Sequence, residues 1–112
     1  MTTFEDRERG FEAKFAHDEE FRFRVTARRD KLLAHWAAAR LKLSPQDEAA
    51  LVAEALSVAG QPGPDGHDAA LLGRMAEALA AHRAPASRAE LETALRNCGE
   101  QARAQLLAAL PP

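Results

Sequence analysis

The sequence predicts an all-α protein, a small four-helix bundle with a mobile or extended N-terminal helical arm. Its 112 residues include 26 Ala and 14 Leu, which favour helices. Against these stand no Ile, three Val and four Thr, so residues that favour strands are scarce. This length suffices for one modest hydrophobic core but not for two. We therefore expect a single bundle domain after the arm.

The first helix of the bundle is expected at about 20–42. On a helical wheel, three phenylalanines of the preceding segment fall within roughly 40° of one another: Phe4, Phe11 and Phe15. A second stripe, rotated from the first by roughly 70°, comprises Phe21, Val25, Leu32, Trp36 and Leu43. One straight helix could not turn both stripes toward one core. We therefore expect a break near His17 and Asp18, with the arm at 1–19 and the bundle at 20–112.

Three further helices are predicted from their capping residues. Ser44 followed by Pro45 is a helix start, and Asp68 can cap the helix that follows the Pro-Gly loop. Ser87 and Glu90 form a capping box for the last helix. The predicted ranges are 44–59, 68–83 and 87–109. The short loops between these helices favour antiparallel packing.

Two single residues are expected in the core. Cys98 shares a helical face with Leu91, Leu95 and Ala102, which predicts a small buried side chain and not a reactive thiol. Trp36 is expected to anchor the core, as large aromatic side chains usually do.

Aromatic residues are strongly concentrated at the N-terminus. All five phenylalanines lie in residues 1–23, and residues 1–31 carry eight basic and eight acidic side chains. So dense a mixture of charges around a narrow apolar stripe suits a segment that binds a partner through a polar groove. The other interpretation, in which these phenylalanines fold back onto the chain's own core, stays open.

Catalytic and metal-binding motifs are missing from the sequence. The four histidines lack HExxH spacing, and the one cysteine has no CxxC partner. Neither GxGxxG nor GxxxxGK[ST] is present, so we expect no cofactor, although a weak and irregular nucleotide site needs no motif and stays open. We expect a protein that is not an enzyme.

Charge and hydropathy indicate where the protein acts. A formal net charge of -2 gives no reason to expect strong attraction to nucleic acid, and the basic residues between Arg22 and Lys31 point in several directions among acids. No apolar run approaches the ~20 residues of a membrane-spanning helix, and the charged N-terminus is unlike a signal peptide. We expect a cytoplasmic protein without direct membrane insertion.

Three pieces of the N-terminal region are characteristic of one family. They are MTTFEDRE, FEAKFAHDEE and ARRDKLLAHWAA, which together span about the first 40 residues. This region resembles the N-terminus of the zeta subunit of alphaproteobacterial F-type ATP synthases, an ATPase inhibitor family formerly catalogued as a domain of unknown function. The combination of these pieces at this spacing is specific.

The resemblance implies an inhibitor of ATP hydrolysis. In that family the N-terminal helix inserts into the catalytic alpha/beta interface and reaches toward the central rotor, so the implied partners are the alpha, beta and gamma subunits. The implied location is cytoplasmic and peripheral to the inner membrane through the ATP synthase. The residues implied to bind this partner are Phe4, Glu5, Asp6, Arg7, Glu8, Arg9, Phe11, Glu12, Lys14 and Phe15. The alternative function is a generic helical adaptor that binds another partner through the same arm.

Overall fold

The structure, a computed structural model, describes residues 18–110. In this range it contains four α-helices, α1 (Glu19–Leu41), α2 (Pro45–Ser57), α3 (His67–Ala81) and α4 (Arg88–Ala108). Each begins and ends within two residues of its predicted bounds. The prediction of an all-α, four-helix fold is confirmed. The division into an arm and a bundle stays a prediction, because residues 1–17 lie outside the described part of the chain.

The helix starts follow the predicted capping residues in two places and depart from them in one. Ser44 accepts a hydrogen bond from the backbone N–H of Asp47 at 3.2 Å, and Ser87 accepts one from Glu90 at 3.1 Å. The predicted cap at Asp68 is wrong, because α3 already begins at His67 after Gly66. Gly66 adopts φ 98°, which a side-chain-bearing residue rarely does, and so turns the loop into α3 before Asp68 is reached.

Helix α1 is the centre of the bundle. It contacts each of the other three helices, most extensively α4 and then α2. Its buried face near the C-terminal end is made of Leu33, Ala34, Ala37 and Ala38. The small side chains of the three alanines let neighbouring helices approach closely. The other helices contribute buried side chains that complete this core: Leu51, Ala55, Val58, Leu71, Leu72, Met75, Leu79, Leu91, Ala94, Leu95 and Cys98.

The apolar stripe predicted on α1 lies beside the deepest part of the core. Phe21 is buried, whereas Leu32, Trp36 and Leu43 are half-buried and pack against the core from its flank. The small alanines take the central positions because the closely packed helices leave too little room for an indole. The Trp36 ring lies instead at the edge of the core, with the Arg40 guanidinium carbon 5.8 Å from its centroid, a cation–π contact.

Candidate functional site

All ten predicted partner-binding residues belong to the part of the chain that the structure does not describe. What the structure does describe is the point where that segment joins the bundle. Asp18 is the N-cap of α1, with an extended backbone at φ -81° and ψ 121°, and its carboxylate accepts a hydrogen bond from the Phe21 N–H at 3.1 Å. The helix therefore starts at Glu19. The break predicted near His17 and Asp18 stays a prediction, because residues 1–17 lie outside the described part of the chain.

A groove with a basic lining runs along the N-terminal half of α1. We call it the basic groove, and its volume is about 620 Å³. It is bordered by the end of α2 on one side and the end of α4 on the other. Its lining residues are Phe23, Arg24, Ala27, Arg28, Lys31, Leu32, His35, Leu56, Gln105 and Leu106.

Three of its lining side chains carry permanent positive charge and none carries a carboxylate. Arg24 donates to the carboxylate of Glu20 at 2.8 Å, but both side chains remain largely exposed. Arg28 donates to the neutral Gln105 amide oxygen at 3.2 Å, across to α4. Attraction between exposed charges such as Arg24 and Glu20 is weak in water, so the groove retains a positive character.

Sequence reasoning did not find this groove. The basic residues from Arg22 to Lys31 do point in several directions, as expected, since Arg29 turns toward α3. However, Arg24, Arg28 and Lys31 line the same groove. Their spacing of four and then three residues is the signal that could have placed them on one helical face.

A second groove, which we call the acidic groove, lies between α2 and α3. Its volume is about 500 Å³, and leucines of the α1–α2 region and of α2 form part of its lining. Three carboxylates line it, of which Glu54 accepts a hydrogen bond from Arg74 at 3.2 Å. The full lining is Leu41, Leu43, Asp47, Ala50, Leu51, Glu54, Arg74, Glu77, Ala78 and His82. The bundle thus presents two grooves with different charge.

A buried carboxylate joins α1 to the start of α3. Asp30 is only 1% exposed. One of its oxygens accepts two hydrogen bonds from the Arg29 guanidinium, both at 3.0 Å, and the other lies 2.6 Å from Nε2 of His67. Arg29 also donates to Asp68 at 2.7 Å. Because a buried charge needs such partners, this cluster fixes the α1–α3 contact and is a structural feature.

The charges around Arg29 act on its pKa in opposite directions. Burial alone would lower the pKa of the Arg29 guanidinium, because it penalises the charged form. The hydrogen bonds and negative charges of Asp68 and Asp30 outweigh this effect and raise the pKa above its ordinary value. Arg29 therefore stays charged and available to both carboxylates.

Sequence reasoning also missed Asp30. The sequence does indicate that Asp30 is buried, because Asp30 shares a helical face with Leu33, Ala34 and Ala37 at spacings of three, four and seven residues. An acidic residue at a position of the core face needs a buried partner. Its principal partners, however, are a neighbour in sequence and a histidine 37 residues away, and nothing in the sequence pairs that histidine with it.

Cys98 is buried, as predicted from its helical face. Burial raises the pKa of the Cys98 thiol, and the positive charge of Arg29 only partly opposes that shift. The Arg29 side chain crosses α4 at Gly99, where an added Cβ would lie 3.5 Å from the Arg29 Cδ. A thiol in this setting is a small apolar core group with little thiolate at neutral pH.

Two searches for other kinds of site bear on residues 18–110 alone. In this range no three or more His, Cys, Asp or Glu side chains gather into a group that could hold a metal ion. Nor does any helix in the same range have the length and hydropathy needed to cross a membrane.

These features assign the protein to a structural class, the small α-helical bundles with open surface grooves and a structural polar cluster. The family model of the ATPase inhibitor subunit zeta matches residues 1–105, and the chain belongs to that family. The match confirms the resemblance seen in the first 40 residues and extends it over α1, α2, α3 and most of α4. The family is that of an inhibitor subunit. No curated protein and no solved structure matches the chain.

Proposed function

We propose that this chain inhibits ATP hydrolysis by an F-type ATP synthase. In this proposal a helix formed within residues 1–17 inserts into the catalytic alpha/beta interface and reaches toward the gamma subunit of the rotor. The single observation that supports it is the family match, which includes the N-terminal segment as well as the bundle. The mechanism needs no cofactor and no catalytic side chain.

The proposed inhibition has a simple physical basis: a helix inserted between the alpha and beta subunits would block the movement that ATP hydrolysis requires. Phe4, Phe11 and Phe15 lie on one narrow stripe of the proposed helix, and burying them in apolar pockets would contribute on the order of 5 to 9 kcal/mol before costs. Ordering the segment costs ~2 to 5 kcal/mol or more. The charged residues beside the stripe would fix the orientation of the helix.

The start of α1 is compatible with an N-terminal segment that inserts and a bundle that stays outside the interface. Asp18 caps α1 with an extended backbone, so the preceding residues need not follow the axis of the bundle's first helix. A helix of about 17 residues would extend roughly 25 Å. That length allows the segment to enter a deep interface while the bundle stays outside, at the cytoplasmic face of the membrane that holds the ATP synthase.

The direct experiment measures ATP hydrolysis by the purified ATP synthase of the same organism. We expect the full-length chain to reduce hydrolysis strongly and to reduce ATP synthesis less. Deletion of residues 1–17, which retains the Asp18 cap, should abolish inhibition. Circular dichroism would establish that the deleted chain keeps its helices.

A matched substitution tests whether inhibition depends on the aromatic stripe or only on the presence of the segment. Replacing Phe4, Phe11 and Phe15 by alanine keeps the length and the charges of residues 1–17, and we expect inhibition to fall at least a hundredfold. Undiminished hydrolysis at saturating wild-type protein would contradict the proposal and would favour the alternative of a helical adaptor for another partner.

A further inference from the structure

The basic groove carries exposed apolar surface. Phe23 is 69% exposed and Leu56 is 40% exposed. Within residues 18–110, these two are the exposed large hydrophobic residues. Both line this groove, where Leu32 and Leu106 are half-buried beside them. An aromatic ring left in water at the rim of an apolar groove is characteristic of a surface that a partner covers.

The charges of the groove limit what that partner can be. Arg24, Arg28 and Lys31 give its lining three positive charges, although the whole chain has a formal net charge of -2. His35 at the far end is 3.2 Å from Glu48. A complementary partner therefore presents carboxylates around an apolar stripe.

The dimensions of the groove suit a helix. From Phe23 to His35 the lining follows three turns of α1, a length of roughly 18 Å. Apolar residues of α1, α2 and α4 meet in the groove, whereas its three cations all lie on α1. An amphipathic helix could therefore pack its apolar face into the groove and place acidic residues on the side that faces α1.

We propose that the basic groove docks an acidic amphipathic helix of the ATP synthase, beside the contact made by residues 1–17. This inference rests on the proposed function. Phe23 follows the Asp18 cap by five residues, so a partner held by the N-terminal segment already lies next to the groove. Docking there would hold the bundle against the enzyme while the N-terminal segment inserts.

Two other occupants fit the charge of the groove less well. Residues 1–17 of the chain itself carry three basic residues among four acidic ones, so they offer no uniformly acidic flank. Of the two grooves of a second copy, the acidic groove is the one lined by carboxylates, and two concave surfaces do not pack into each other. The docking test below discriminates among all three.

The first test compares full-length variants that differ in the groove alone. We expect Phe23→Ala to weaken binding to the purified ATP synthase about tenfold, because it removes an aromatic anchor. Lys31→Glu should weaken binding about fivefold, and more at low salt. Arg96→Glu is the matched control, because Arg96 is exposed on α4 and lies outside both groove linings. It should change affinity less than twofold.

Affinity and inhibition are measured separately, by biolayer interferometry and by ATP hydrolysis. We expect the groove variants to reach the same maximal inhibition as the wild type, at higher concentration, with unchanged thermal unfolding. If Phe23→Ala and Lys31→Glu bind as tightly as Arg96→Glu while the wild type inhibits, the groove inference is wrong and the proposed function stands. If the wild type neither binds nor inhibits, both are wrong.

The second test identifies the occupant. A photoreactive benzoylphenylalanine replaces Phe23 in the full-length chain, which is mixed with the ATP synthase and irradiated. We expect the cross-linked peptide to come from a helix of the enzyme that is rich in Asp and Glu. Cross-links to residues 1–17 of the same chain, to a second copy, or to a segment of the enzyme without acidic residues would overturn the proposal.

Discussion

The two halves of helix α1 differ in what they bury. From Leu32 onward the helix places Leu33, Ala34, Ala37 and Ala38 in the core, whereas from Glu19 to Lys31 only Phe21 and Asp30 are buried. The C-terminal half is therefore held by apolar packing, and the N-terminal half is anchored largely by a carboxylate and its partners. One helix can thus stabilise a bundle and still present a binding surface.

The largest effect is expected in the C-terminal half. Leu33→Ala removes a fully buried side chain at the centre of the bundle, and we expect the free energy of unfolding to fall by about 3 kcal/mol. Urea denaturation measures this loss, and Leu56→Ala is the control at an exposed position, with a change of less than about 1 kcal/mol. A similar loss for the two variants would contradict the picture of an apolar core centred on Leu33.

An intermediate effect is expected from the polar anchor. Asp30→Ala leaves Arg29 and His67 without their buried carboxylate, and we expect a loss of about 2 kcal/mol, because both partners keep partial access to water. Asp68→Ala removes the exposed end of the same cluster and should cost less than about 1 kcal/mol. Chemical denaturation of the two variants side by side tests this, and an equal loss would show that burial of Asp30 is not what matters.

The smallest effect on stability is expected at the surface of the N-terminal half. Phe23→Ala should change the free energy of unfolding by less than about 0.5 kcal/mol, because its ring is mostly in water already. Thermal and urea unfolding provide the measurement, with wild type and Leu33→Ala as the two reference values. A loss comparable to that of Leu33→Ala would mean that Phe23 belongs to the core.

The sequence predicts the C-terminal half of the molecule better than the N-terminal half of α1, for a physical reason. Caps such as Ser44 and Ser87 act within three residues, and the regular face of α4 reports burial directly, so local patterns suffice there. The Asp30–His67 contact and the basic groove are instead produced by residues far apart in the chain.

The failed prediction at Asp68 shows the same limit. An aspartate before a helix is a good cap by local rules, but here the glycine two residues earlier starts the helix and leaves the carboxylate free to meet Arg29. For the N-terminal segment, the residues gave the family, which the family match over residues 1–105 confirms. Which atoms of a partner those residues would contact depends on the partner's surface, which this chain does not encode.

The extensive packing of α1 on α4 determines when the bundle can fold during synthesis on the ribosome. Helix α1 is synthesised first among the four helices, but its main packing partner is synthesised last. The part of α1 that packs on α4 therefore stays uncovered until residues 88–108 leave the exit tunnel. The N-terminal segment is synthesised earlier still, so Phe4, Phe11 and Phe15 leave the tunnel before the bundle has folded.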